Sequence, residues 1–120
     1  MTVREPEWAM ATILFADVRG FTQRAERSTA HEAVAFLNAF FGVAVPAVER
    51  HGGWAHKLLG DGLLAVFGAL EPAVCHADRA LAAADDMLAA VHERFGDSCR
   101  IGIGVNSGLV LVGSVGGGGL

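Results

Sequence analysis

The chain has 120 residues, of which 52% are hydrophobic and 18% charged, with a formal net charge of −4. That size and balance describe one folded domain and exclude a multidomain or disordered chain. The acidic balance offers no basic face of the kind that nucleic acid or an anionic membrane surface requires, so an anionic ligand has to be held by local groups or by metal ions.

Met1 to Glu7 carries Arg4, Glu5, Pro6 and Glu7 and lacks the basic start and apolar middle of a secretory leader. No run reads as the ~20 uninterrupted apolar residues of a membrane span. A cytoplasmic location is expected. Cys75 and Cys99 have none of the close Cys/His spacings of zinc sites and are expected to be reduced core thiols.

Residues 1–10 read as a lead-in. Residues 12–16 form a short apolar, partly β-branched run that stops at Asp17, and a tight loop through Gly20 follows. Thr29-Ala30-His31-Glu32 fits a capping box, so a long helix is expected to start there. Val34, Leu37 and Phe41, with Phe36 and Phe40, give it an apolar stripe, and Pro46 is expected to bend or divide it. His51-Gly52-Gly53 stops the chain. Residues 54–58 and 63–67 are apolar runs around Gly60-Asp61-Gly62, the pattern of a β-hairpin. A second helix is expected from Pro72 to Gly96, with Val74, Ala77, Leu81, Ala84, Leu88 and Val91 as its stripe. Residues 99–105 alternate with period two, Asn106-Ser107-Gly108 reads as a turn, and residues 109–112 read as one more strand before a glycine-rich exit at residues 113–119.

Strand, helix, strand, strand, helix, strand is the split β-α-β order of ferredoxin-like domains. The fold class is therefore α+β: an antiparallel sheet with helices on one face, here with one added strand.

Asp17 and Asp61 each sit where an apolar strand meets a glycine-containing turn. The topology pairs their strands centrally and can bring both carboxylates to one end of the sheet. Paired hard oxygen ligands suit Mg²⁺ or Mn²⁺, which keep open positions for water and phosphate. Two such ions about 4 Å apart can activate an attacking oxygen and stabilise a leaving one at phosphorus. Gly20 allows close backbone approach, and N–H groups at a helix entry can cradle phosphate oxygens. Asp-Gly is equally the ordinary signal of a hairpin tip, so spacing alone leaves both readings open. The five histidines read as ordinary, Trp8 and Trp54 as packing residues or interface anchors, and Arg100 as a solvated partner of Asp97.

Three segments carry a resemblance: L-F-A-D-V-R-G-F-T at 14–22, H-G-G-W-A-H-K-L-L-G-D-G-L-L-A-V-F-G at 51–68 and R-I-G-I-G-V-N-S-G-L-V-L-V-G at 100–113. In order and spacing, from about Ala11 onward, the chain resembles the catalytic domain of class III nucleotidyl cyclases. The resemblance implies that Asp17 and Asp61 bind two Mg²⁺ or Mn²⁺ ions as the catalytic carboxylates, with a carbonyl ligand from Val18. It implies that the backbone of Val18, Arg19, Gly20, Phe21 and Thr22 binds phosphate. Lys57 falls on the lysine that reads the purine in adenylate-type members, which favours ATP over GTP. The implied reaction is attack of the ribose 3′ oxygen on the α-phosphorus, giving cyclic AMP and pyrophosphate. The implied assembly is a head-to-tail homodimer, or a heterodimer with another cyclase domain, in which each site takes its aspartates from one subunit and its lysine from the other.

The resemblance further implies a later segment with a second purine-reading residue, an asparagine and an arginine that orient the ribose and stabilise charge on the phosphates. None of these is matched within the 120 residues. Residues 11–120 therefore read as an adenylate cyclase catalytic domain incomplete at its C-terminus. The alternative is an impaired pseudocyclase or dimerisation module that needs a complete partner.

Overall fold

Alternation along the first strand sets the architecture. In the computed structural model, which describes residues 5–68 and 75–113 without the side chains of Lys57 and Leu59, β1 runs over Glu7–Val18. Its Thr12, Leu14, Ala16 and Val18 are buried on one face, while Ile13, Phe15 and Asp17 look the other way. Period-two alternation of this kind requires cover on one side only. The cover comes from α2 (Ala30–Arg50) and α3 (His76–Phe95). The remaining elements are α1 (Phe21–Glu26), β2 (Trp54–Leu59), β3 (Gly62–Phe67), a 3₁₀ turn at Gly96–Ser98 and β4 (Ile101–Val112). All pairings are antiparallel and the sheet order is β2-β3-β1-β4, the expected ferredoxin-like arrangement.

The core lies between sheet and helices. Leu14, Ala16, Val18, Leu63, Ala65 and Phe67 meet Phe40, Ala44, Ala47 and Val48 of α2 and Ala80, Ala83, Met87 and Val91 of α3. Fully burying a side chain such as Phe40, Phe67 or Leu14 stabilises the fold by about 1.5–3 kcal/mol each. By length and composition α2 is apolar enough to cross a membrane. Here its buried face supplies the core between the sheet and α3.

The capping box forms as expected: the Glu32 N–H donates to Thr29 Oγ1 at 3.1 Å and the Thr29 N–H to Glu32 Oε1 at 2.9 Å. These bonds also hold the Glu32 carboxyl below its ordinary value. Several expectations are corrected. Pro46 lies inside the unbroken 21-residue α2 and does not divide it. β1 begins at Glu7, inside the expected lead-in, because β4 pairs with it along its whole length from Val112 back to Ile101. Asn106-Ser107-Gly108 is accordingly continuous strand, and residues 109–112 are the far half of β4 rather than an added strand. The helical stripes hold in part: Phe40, Ala84 and Val91 enter the core and Phe36 and Phe41 pack against it. Val34, Leu81 and Leu88 are exposed by 56%, 54% and 48%, while the smaller Ala44, Ala47, Ala80 and Ala83 are fully buried. The expected start at Pro72 and Val74, and the glycine-rich exit beyond Gly113, lie outside the described residues. Cys75 is exposed and not a core thiol; Cys99 is buried, and that burial pushes its thiol pKa up.

Among the described residues one polar side chain enters the core. Thr12 is fully buried, and its hydroxyl lies 2.7 Å from His76 Nδ1 and 2.7 Å from Ser107 Oγ. This contact ties the start of α3 and β4 to the central strand.

At the opposite end of the helices, Arg50 makes two bonds of 2.9 Å to the Asp86 carboxylate, and His51 Nε2 lies 3.0 Å from the same group. The Arg50 guanidinium, opposed by partial burial, holds the Asp86 carboxyl below its ordinary value of 3.8. A depressed carboxylate stabilises the fold above its unfolded pKa, and that stability is lost as pH falls through the folded value. The stability difference between the parent and Asp86→Asn is therefore expected to shrink as pH falls below about 4. Denaturant unfolding of both proteins from about pH 5 to about pH 3 checks this; a difference that does not change over that range would refute it.

Candidate active site

Asp17 is the penultimate residue of β1, opposite Gly62 of β3 and Gly102 of β4. Asp61 closes the two-residue turn between β2 and β3, where Gly60 takes φ 54°, a left-handed conformation open to glycine at no steric cost. The Val18 N–H donates to the Asp61 carbonyl at 3.0 Å. Antiparallel pairing thus brings both aspartates to the same end of adjacent central strands, as their spacing suggested. Each is partly buried.

The Asp17 carboxylate is not at rest in this setting. Its Oδ1 is shielded from solvent and has no hydrogen-bond partner. The Arg19 Nε lies 3.7 Å away, a charge contact without a hydrogen bond. Shielded carboxylate oxygens without donors are costly. A divalent cation bound to this oxygen would remove that cost, so the donor set fits Mg²⁺ or Mn²⁺. Among the described residues no three His, Cys, Asp or Glu side chains gather at one point. An ion here would therefore draw on Asp17, Asp61, the Val18 carbonyl, water and ligand oxygens, as Mg²⁺ commonly does.

The loop after Asp17 is more committed than its sequence suggests. The Val18 N–H is taken by Asp61, and the Arg19 N–H donates to the Arg100 carbonyl at 2.7 Å. Of the five residues expected to cradle phosphate, Val18 and Arg19 thus have their N–H groups engaged within the chain. Gly20, at φ 68°, starts α1, whose first N–H groups have no carbonyl four residues back to pair with. This helix was not anticipated, because six residues are too few to show a 3.6-residue period. Its packing explains it: Phe21 stacks on Phe36 with centroids 6.3 Å apart, the Arg24 guanidinium sits 4.0 Å above the Phe36 ring, and Arg24 also donates to the Ser98 carbonyl.

Lys57 is placed by register alone. It lies on the edge strand β2 opposite Leu64, after a bulge at His56 that moves position 57 onto the row shared by Leu64, Phe15 and Gly104. That row belongs to the uncovered face of the sheet, as does Asp17. With strands ~4.8 Å apart and a rise of ~3.4 Å per residue, the backbone of Lys57 is roughly 12 Å from that of Asp17. The fold therefore sets Asp17 beside Asp61, with the backbone of Lys57 further along the same face. The same face carries Ile13, Phe15, Gly104, Asn106, Gly108 and Val110 around a shallow concavity of about 590 Å³. Trp54 stands on it half exposed, edge-on to His56 at 4.5 Å.

The fold recurs in known proteins. The guanylyl cyclase Cya2 superposes with a TM-score of 0.87 at 33% identity, over 98% of this chain and 62% of that one. A non-canonical dimeric guanylyl cyclase domain of the RhoGC fusion protein from the aquatic fungus Blastocladiella emersonii gives 0.84 at 30%, over 96% and 66%. The adenylyl cyclase CyaB of P. aeruginosa gives 0.84 at 24%, over 94% and 63%, which shows a common fold. An uncharacterized protein of Mycobacterium tuberculosis is 38% identical over 107 residues, 87% of this chain and 19% of that protein. The chain thus spans about a fifth of the length of the curated relatives it matches. Residues 3–118 match the adenylate and guanylate cyclase catalytic domain, and the chain belongs to that family.

Proposed function

We propose that this chain is the catalytic domain of an adenylate cyclase, converting ATP to cyclic AMP and pyrophosphate for signalling. The observation that carries the reading is the meeting of Asp17 and Asp61 at one sheet end, with the Asp17 Oδ1 shielded and unpartnered. Two divalent cations bound there would promote ionisation of the ribose 3′ hydroxyl and neutralise charge on the α- and β-phosphates. Asp17 and Asp61 would hold the cations. The backbone N–H groups of Gly20, Phe21 and Thr22 would position the phosphate chain.

The choice of ATP over GTP rests on Lys57 as the purine-reading residue. Membership of the cyclase catalytic-domain family supports a site shared by two chains, each giving aspartates to one site and lysine to the other. The partner is a second copy or another cyclase domain.

Complementation tests this. The chain is mixed with a complete cyclase domain whose own metal-binding aspartates have been replaced by alanine, and cyclic nucleotide is measured from ATP and from GTP with Mn²⁺. The expected result is cyclic nucleotide formation by the mixture and no activity from either component alone; a mixture no more active than its components would overturn the reading. In that competent site the partner reads the purine, so Lys57 is tested by binding. This chain alone with Mn²⁺ is expected to bind a non-cyclisable ATP analogue more tightly than the matching GTP analogue, with the preference lost in Lys57→Ala, and the reverse order would overturn the assignment of Lys57.

A further inference from the structure

We infer that Arg19 is a built-in competitor of the metal, a cationic latch that rests on Asp17 and that a divalent ion has to displace. The inference rests on the reading that Asp17 holds a cation, and it concerns what occupies that carboxylate before the cation arrives.

Three observations place the latch. The backbone of Arg19 is fixed by its N–H bond to the Arg100 carbonyl, so the side chain starts from a set point between the ends of β1 and β4. From there its Nε reaches 3.7 Å from the Asp17 Oδ1. Its guanidinium also lies over Gly102, the β4 residue that pairs with Asp17, and a Cβ built at position 102 would overlap it. The slot therefore exists because position 102 has no side chain. Arg19 is otherwise lightly held, with 68% of its side chain exposed. The Asp17 oxygen it faces is shielded and makes no hydrogen bond. The guanidinium offsets its charge without satisfying it, which leaves the oxygen ready for a better cation.

A divalent ion sits about 2.1 Å from a carboxylate oxygen and carries twice the charge. A guanidinium in the same slot would stand roughly 5 Å from it, and in a largely aqueous setting that repulsion lowers ion affinity on the order of tenfold. The long, exposed side chain can leave the slot when the ion enters. Without the ion, Arg19 keeps the carboxylate partly neutralised at the end of the central strands.

Mn²⁺ binding to the full chain, followed by electron paramagnetic resonance at low ionic strength without nucleotide, tests the latch. Arg19→Ala is expected to bind Mn²⁺ about tenfold more tightly than the parent, with an advantage that shrinks as salt rises. Gly102→Ala, which evicts the guanidinium and leaves its charge in place, is expected to shift affinity in the same direction. If Asp17→Ala abolishes binding while Arg19→Ala binds no more tightly than the parent, the cation site stands and the latch falls. If Asp17→Ala binds as well as the parent, or if no variant binds Mn²⁺, both fall.

Discussion

Asp17→Asn is expected to reduce turnover in the complemented cyclase by more than about a hundredfold while leaving the metal-free fold at least as stable. Altering even the outer partners of a metal ligand typically costs 10- to 100-fold in affinity or activity, so loss of a directly ligating charge should exceed that range. The stability half of the expectation comes from Oδ1, which is shielded, unpartnered and only loosely paired with Arg19 at 3.7 Å. An amide of the same shape removes the charge whose desolvation is uncompensated, and replacing such a group is commonly neutral or stabilising. Thermal unfolding in chelator and a cyclic AMP assay of the same preparation separate the two effects. A variant that loses activity because it unfolds would show a lowered midpoint and would count against a catalytic role. A variant that keeps its activity would remove Asp17 from the site altogether.

Much of this domain is legible where neighbours in sequence decide the outcome. The Thr29–Glu32 capping box and the Gly60-Asp61 hairpin need only a few adjacent residues, and both form as read. The strand-end placement of the aspartates was legible for the same reason, each standing where an apolar run meets a glycine-containing turn. Where distant strands or helices decide, local signals mislead. Asn106-Ser107-Gly108 has turn chemistry, yet pairing with Ile13, Thr12 and Ala11 keeps it extended, and Ser107 bonds to the buried Thr12. Leucine at positions 81 and 88 marks a stripe by hydrophobicity. The helices meet on alanines instead, because small side chains let α2, α3 and the sheet approach closely around Phe40 and Met87. The latch was not legible at all, since it needs the β1–β4 register to set Gly102 across from Asp17.

Gly62→Ala is expected to disable the site without touching either carboxylate. Gly62 is buried, pairs with Asp17 and directly follows Asp61. A Cβ there would stand 2.7 Å from the Ala16 carbonyl oxygen and 3.4 Å from the Asp17 Cβ. The first neighbour is backbone of the central strand and cannot rotate away, so β1 and β3 have to part where the two aspartates meet. Overpacking of this kind typically costs about 1–3 kcal/mol. Its larger effect is on geometry, because a metal site depends on the mutual placement of its ligands to a fraction of an ångström, and a loss of roughly 10- to 100-fold in Mn²⁺ affinity is expected. Gly104→Ala is the control, since it lies two residues along β4 on the same face and nothing stands within 4 Å of its built Cβ. If denaturant unfolding and Mn²⁺ titration show Gly62→Ala to be as mild as Gly104→Ala, the close approach of β1 and β3 is not what fixes the aspartates. If Gly62→Ala alone loses both stability and metal, the strand pairing itself is part of the site.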